Sequence, residues 1–255
     1  MGVEVVFPNE LLVALKEDNE SFRRKVLVYT LGKLYETGRI SGGLGARILG
    51  CDHWEFYRLL SENGFAVIDY PDEELEREAD TSRELARDPI TVAKVIVNST
   101  PLIALSQVGR LSLLKLIFDE VVVPASVYNE VVIRGKNRPG AAELRDTDWI
   151  IVKAPQEKPS LSPMLLGLDQ GEMDVILLAQ ELEADWVLVD EKLGRKVAKA
   201  VGLRVKGTLG VLLTAYRAEF LSQDESKDAV EQLAQSSVRV SARLVAWFKS
   251  QLDNK

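Results

Sequence analysis

Beyond residue 93, short runs of β-branched residues alternate with helical stretches, and no other feature of the chain restricts its fold so tightly. Lys94–Val97, Val121–Val123, Trp149–Val152, Trp186–Val189 and Arg204–Lys206 read as strands. Helices are expected over Leu102–Val108 continuing through Leu111–Phe118, and over Ser126–Arg134, Gly171–Glu183, Gly194–Val201 and Leu209–Ala218. Loops are expected in much of Gly135–Pro163, and closing helices over Ser222–Lys255. Strands that alternate with helices imply βαβ units, so the fold class is α/β with a Rossmann-type, mostly parallel sheet flanked by helices. Ligands of such sheets bind in the crevice outside the carboxyl ends of the strands. Polar residues stand at those positions or open the intervening helices: Asn98-Ser99-Thr100-Pro101, Glu130, Gly171-Glu172-Met173-Asp174 and Asp190-Glu191. One acidic pocket is the expectation.

At 255 residues the chain exceeds the usual domain of roughly 100–150 residues, so two domains are expected. Boundaries are read at 1–68 for a small, mainly helical domain, 69–91 for an acidic linker or arm, and 92–255 for the α/β domain. No apolar stretch approaches the ~20 residues that a membrane span requires, so no membrane partner is expected. The start lacks a basic segment followed by an apolar one, so no secretory leader is expected. The single cysteine, Cys51, cannot form an intramolecular disulfide, which fits a reducing, cytoplasmic setting. Cys51 and His53 also lack the further Cys and His partners of a zinc tetrahedron. P-loop and dinucleotide fingerprints are missing, and the lone His53 leaves little scope for a Ser-His pair.

A net charge of -7 argues against a generally basic nucleic-acid coat, and its distribution is uneven. Residues 64–91 hold nine acids against three arginines, so the linker carries most of the acidity. It reads either as a solvated helix or as an arm that fills a nearby basic or metal-lined groove.

In the first block, a short alternating run, Val3-Glu4-Val5-Val6-Phe7, precedes helices from about Glu10 and over Ser21–Thr37. Ser41–Leu49 and Asp52–Asn63 then form two short helices around the turn Gly50-Cys51, with Asp52 and Glu55 spaced as a capping box. That is the spacing of a helix-turn-helix, whose second helix enters the DNA major groove. His53, Trp54, Tyr57 and Arg58 are its candidate exposed DNA-reading residues, with Arg47 a candidate phosphate contact.

The stretch "YETGRISGGLGARILGCDHWEFYRLLSENGFAVIDYPDEEL" resembles a small antitoxin family made of a short strand, helices and a helix-turn-helix followed by an acidic tail. The resemblance implies operator DNA binding, often as a dimer, and neutralisation of a partner toxin by the tail. Gly42-Gly43-Leu44-Gly45 departs from that pattern, and three glycines at about 1 kcal/mol each would fray the first helix of the motif.

The segments "VIVNSTPLIALSQVGRLSLL", "VVVPASVYNEV", "GEMDVILLAQELEADWVLVDEKLGRKVA" and "LRVKGTLGVLLTAY" resemble PIN-domain ribonucleases of the VapC toxin type, in a subgroup known only as a domain of unknown function. The resemblance implies an endoribonuclease dependent on Mg²⁺ or Mn²⁺, an RNA substrate and a homodimer. Asn98, Glu130, Glu172 and Asp190 fall on the family's catalytic and metal-binding positions, with Asp174 or Glu191 as a further metal ligand. Hard cations of this kind take oxygen ligands and keep several waters, so a few carboxylates suffice. Ser99, Thr100, Lys192 and Arg195 are candidate RNA contacts, alongside Lys196. The first ligand is usually Asp, and the neutral Asn98 removes one unit of charge.

An antitoxin-like block directly ahead of a toxin-like one reads as a single-chain fusion, its acidic segment lying over the toxin pocket and Arg77, Arg83 or Arg87 pairing with the acids there. The alternative is a catalytically inactive PIN-like domain within a DNA-binding regulatory or assembly protein.

Overall fold

The computed structural model of the chain describes residues 4–87, 93–135, 138, 140–156 and 167–253. Much of the loop expected over Gly135–Pro163 lies outside them, as do Asp88 and the side chain of Arg87. The first block folds into α1 (Asn9–Leu15), α2 (Asn19–Glu36), α3 (Gly42–Leu49) and α4 (His53–Glu62). Asp18, Ser41 and Asp52 cap the last three, each accepting from backbone N–H groups of the first turn. Gly50 ends α3 at φ 68°, a left-handed conformation that suits glycine. Of the expected capping box at α4, the Asp52 half forms, while Glu55 turns outward to Arg58. The acidic segment becomes helix α5 (Asp72–Arg87).

The second block runs β1 (Lys94–Val97), α6 (Ser99–Gln107), α7 (Leu113–Ile117), β2 (Glu120–Pro124) and α8 (Ala125–Tyr128), which continues as a π-helical turn over Asn129–Arg134. Then come α9 (Ala141–Arg145), β3 (Ile150–Lys153), α10 (Gln170–Glu181), β4 (Trp186–Leu188), α11 (Lys192–Ala200), β5 (Val205–Lys206), α12 (Thr208–Arg217), α13 (Gln223–Gln235) and α14 (Ala242–Asp253). The strands form one sheet in the order β3-β2-β1-β4-β5, every pairing parallel. The α/β class read from the alternation is therefore the observed one. Val95, Ile96 and Val97 are fully buried, as a central strand covered on both faces requires.

The chain leaves β1 toward β2 on one side and later adds β4 and β5 on the other. The strand order therefore reverses between β1 and β4, and a crevice opens at their carboxyl ends. Asn98 follows β1 there, and Asp190-Glu191 follow β4 closely. The two blocks share one hydrophobic core, in which Phe56, Tyr57 and Leu60 of α4 join the sheet residues. Ile68 forms a parallel bridge with Val240, and α5 packs along α12. Among the described residues no helix is long and apolar enough to cross a membrane.

A candidate active site covered by the N-terminal block

Asn98 caps α6 by position only: its side chain makes no cap bond, and its buried Nδ2 has no hydrogen-bond partner. Ser99 and Thr100, expected to hold substrate, form the first buried turn of α6. Glu130 lies in the π-helical turn, a wider helix that often marks functional sites. Glu172 is buried at the start of α10 in a capping box with Asp169: Glu172 N–H donates to Asp169 at 2.9 Å, and Asp169 N–H to Glu172 Oε2 at 3.1 Å. Its other oxygen, Oε1, is buried without a partner. Glu191 completes the cluster, held by hydrogen bonds from Tyr57 at 2.5 Å and Thr100 at 3.2 Å.

Two expected ligands turn elsewhere. Asp190 accepts from Thr208 N–H at 2.8 Å, Thr208 Oγ1 at 2.6 Å and the Tyr70 hydroxyl. Asp174 faces Ser126 at 2.6 Å and Gln170 at 2.7 Å. The structure thus brings together Glu130, Asp169, Glu172 and Glu191, with Asn98 buried at the end of β1. Asp169 escaped the sequence reading, although its place three residues before Glu172 is the capping-box spacing. Thr208 stands just beyond β5 and obeys the strand-end rule, whereas no local pattern points to Tyr70.

Burial and close packing distort the titration of Glu172, Glu191 and Asp190. Burial pushes Glu172 well above the usual carboxylate range, with the charges of Asp169 and Glu191 adding to it. Burial and then Asp169 push Glu191 up to about 6. Asp190 is also raised by burial, against the hydrogen bonds from Thr208 and Tyr70. A cation is what such a cluster lacks.

The N-terminal block supplies one. His53 Nδ1 meets Glu130 Oε1 at 2.5 Å, and Nε2 lies 3.4 Å from Asp169 Oδ2. Burial alone would lower the imidazole pKa, yet Glu130 and Asp169 outweigh it and raise it well above 6.5. Tyr57 also touches Thr100 at 2.8 Å. Helix α3 presents its N-terminus to the same carboxylates: Gly42 N–H donates to Glu191 at 2.8 Å and Gly43 N–H to Asp169 at 3.1 Å.

The glycines are explained by this approach. A Cβ at Gly43 would lie 2.6 Å from Asp169 Cβ, and one at Gly42 2.8 Å from the Tyr57 hydroxyl. At Gly45 it would run into the Phe56 ring. Rather than fraying α3, the glycines let it close on the acids.

The face assigned to DNA is therefore turned inward. His53, Trp54 and Tyr57 were expected to be exposed; they are buried against the α/β block because their side chains serve its acids and core. Arg58 is exposed but bound to Glu55 and Glu62 on its own helix. Arg47 stays in solvent.

The acidic segment corrects a second expectation. It covers the cations, not the acids. Fully buried Arg195, expected to contact RNA, donates to Glu74 and Glu78 at 2.6 Å and to Val189 O at 2.9 Å. Lys192 reaches Asp69 at 2.7 Å and Lys199 reaches Glu74 at 2.5 Å, while Arg204 binds Glu84 at 2.7 Å. Lys196 alone of the expected α11 contacts is exposed. Arg83 pairs with Asp80 of its own helix instead of the site acids. Like charges repel, so carboxylates of α5 gain nothing over an acid cluster and much over a cationic strip.

Residues 94–254, which carry the β1/β4 crevice, match a family model described as a PIN domain. The chain belongs to the PIN-domain family. A second model, an uncharacterised protein family (UPF0175), matches residues 1–84. No curated protein and no solved structure matches the chain. PIN domains are generally divalent-metal-dependent nucleases, and a PIN domain behind such an N-terminal block fits a toxin–antitoxin-like fusion.

Among the described residues no group of three or more His, Cys, Asp or Glu side chains is disposed to hold a metal ion. The donor chemistry still fits a hard cation. Glu172 Oε1 is a buried oxygen without a partner, and burial, with the charge of Asp169 beside them, pushes Glu172 and Glu191 toward protonation. In the docked arrangement His53 provides the positive charge.

Proposed function

We propose that the chain is a single-chain toxin–antitoxin fusion: a PIN-domain endoribonuclease dependent on Mg²⁺ or Mn²⁺, held inactive by its own antitoxin-like domain. The observation that carries this reading is the insertion of His53 between Glu130 and Asp169. When bound, the ion would activate a water and neutralise charge developing on the phosphodiester. Glu130 and Glu172 would hold it, with the Asn98 amide and Glu191 beside them. Asn98 brings no charge, so the remaining carboxylates supply the attraction for the cation. Asp190 fastens the β4 end to Thr208, and its hydrogen bond from Tyr70 ties it to the N-terminal block.

His53 and a divalent ion compete for the same oxygens. Tethering gives the inhibitory domain an effective concentration of the order of mM, enough to keep the site closed for most of the time. Release would free two surfaces at once, the acids for metal and RNA and the inward face of α4 for operator DNA. A homodimer remains part of this reading.

The test uses the full-length chain. Gly43→Leu wedges α3 away from Asp169, and His53→Ala removes the imidazole. Each variant should gain Mn²⁺-dependent cleavage of single-stranded RNA that the native chain shows weakly or not at all. Adding Glu130→Gln should abolish the gain. Folded Gly43→Leu and His53→Ala proteins that cut no RNA over a wide Mn²⁺ range would sink the latent-nuclease reading.

A further inference from the structure

Beside the buried acids the docking of the two blocks leaves a cavity of about 550 Å³. Its wall comes from both: Arg47 and His53 from the helix-turn-helix, Glu130, Arg134 and Asp169 from the PIN domain. The charges in it are unevenly satisfied. Asp52 is taken by Arg138 at 2.6 Å, and Glu130 and Asp169 flank His53. The exposed Arg47 and Arg134 have no ion pair or side-chain hydrogen bond among the described residues. His53, about nine-tenths buried, adds its imidazole to the same wall, with Nε2 3.4 Å from Asp169 Oδ2.

Two free guanidinium groups facing one cavity, beside carboxylates already engaged, make a site for an anion. Arginine forks match the tetrahedral oxygens of phosphate in a bidentate way. The volume exceeds that of a simple inorganic ion and suits a nucleotide-sized ligand. We propose that this cavity binds a phosphate group of a nucleotide or RNA strand, clamped between Arg47 of one block and Arg134 of the other. Because the arginines come from different blocks, the site exists only while the two are docked. A bound phosphate therefore braces the closed arrangement and sets the first contact of an RNA strand beside the covered acids. This goes beyond the nuclease reading and does not require that the PIN domain be active.

The experiment measures equilibrium binding to the full chain in EDTA, where metal-dependent cleavage is silent. The probes are a short single-stranded RNA with a 5′-phosphate, the same RNA with a 5′-hydroxyl, and adenosine monophosphate. Preference for the 5′-phosphate identifies a terminal phosphate, equal binding of the two RNAs a backbone phosphodiester, and comparable binding of the mononucleotide a free nucleotide site. In each case Arg47→Gln and Arg134→Gln should each weaken binding by about tenfold to a hundredfold, the usual loss for a charge-assisted hydrogen bond. Both positions are exposed, so the variants should keep the native melting temperature, and Arg23→Gln on α2 should bind like the native chain. No binding below mM concentrations, or binding that neither variant weakens, overturns the proposal. Because no step needs metal, such a failure is separable from loss of the latent nuclease.

Discussion

The N-terminal block covers the PIN domain twice, with opposite chemistry. Helices α3 and α4 meet carboxylates with donors: His53, the Tyr57 hydroxyl and the N–H groups of Gly42 and Gly43. Helix α5 meets cations with carboxylates: Glu74, Glu78 and Glu84 on Arg195, Lys199 and Arg204. Each contact is complementary in charge, yet they differ in what they bury. The α5 contact seals a permanently charged guanidinium, whereas the other closes on groups that can be neutralised by a proton or matched by a metal ion. The first therefore has the character of architecture, and the second of something that can be exchanged.

The largest expected effect tests the architectural contact. Arg195→Ala would leave Glu78, 2% exposed, with only the more distant Lys206 at 4.0 Å as a cation, and breaking a buried pair in this way costs about 3–5 kcal/mol. Denaturant unfolding should register that loss for the whole chain. A loss below 1 kcal/mol would mean that α5 lies loosely on the domain and that the contrast drawn here fails.

The exchangeable contact should respond less, and with pH. His53→Gln should lower stability by about 1–3 kcal/mol where the imidazole is charged. Its folded pKa is raised well above 6.5, so its contribution is present in full below the unfolded value and fades as pH climbs through the folded one. Melting curves of native and variant chains should stay apart at pH 6 and converge at alkaline pH. A gap that widened as pH rose would contradict the imidazolium contact with Glu130 and Asp169.

The smallest effect sharpens the comparison within one helix. Arg58 of α4 bonds to Glu55 and Glu62 but lies in water, so Arg58→Ala should leave stability almost unchanged. The same helix thus carries one face that matters to docking and one that does not. Thermal melts of Arg58→Ala and His53→Gln side by side would expose the difference, and equal losses would erase it.

Much of this was legible in advance because its causes are local. The strand runs, the turn at Gly50 and the Asp52 cap rest on backbone chemistry within a few residues, and all appear where the pattern put them. The acids were also visible as types and positions, Glu130, Glu172 and Glu191 among them. Their partners were not. Asp190 and Asp174 occupy the expected positions but are drawn away by Thr208 and Ser126, and Asp169 enters through a capping bond that looks purely helical. Nor could the glycines of α3 be read correctly from helix propensity, which counts their cost and ignores the close approach they allow.

The sequence by itself determined a parallel α/β sheet behind a pair of short capped helices, an acidic connector between them, and a set of carboxylates at strand and helix ends. Periodicity, caps and strand ends are short-range properties, and short-range physics is what a sequence displays. Only the tertiary structure decided that the supposed DNA face serves the acids and that the acidic segment serves the cations. His53 finds Glu130 and Asp169, and Glu78 finds Arg195, across more than 70 residues of chain. Charge complementarity at that range depends on which surfaces the fold brings face to face, and no local pattern encodes it.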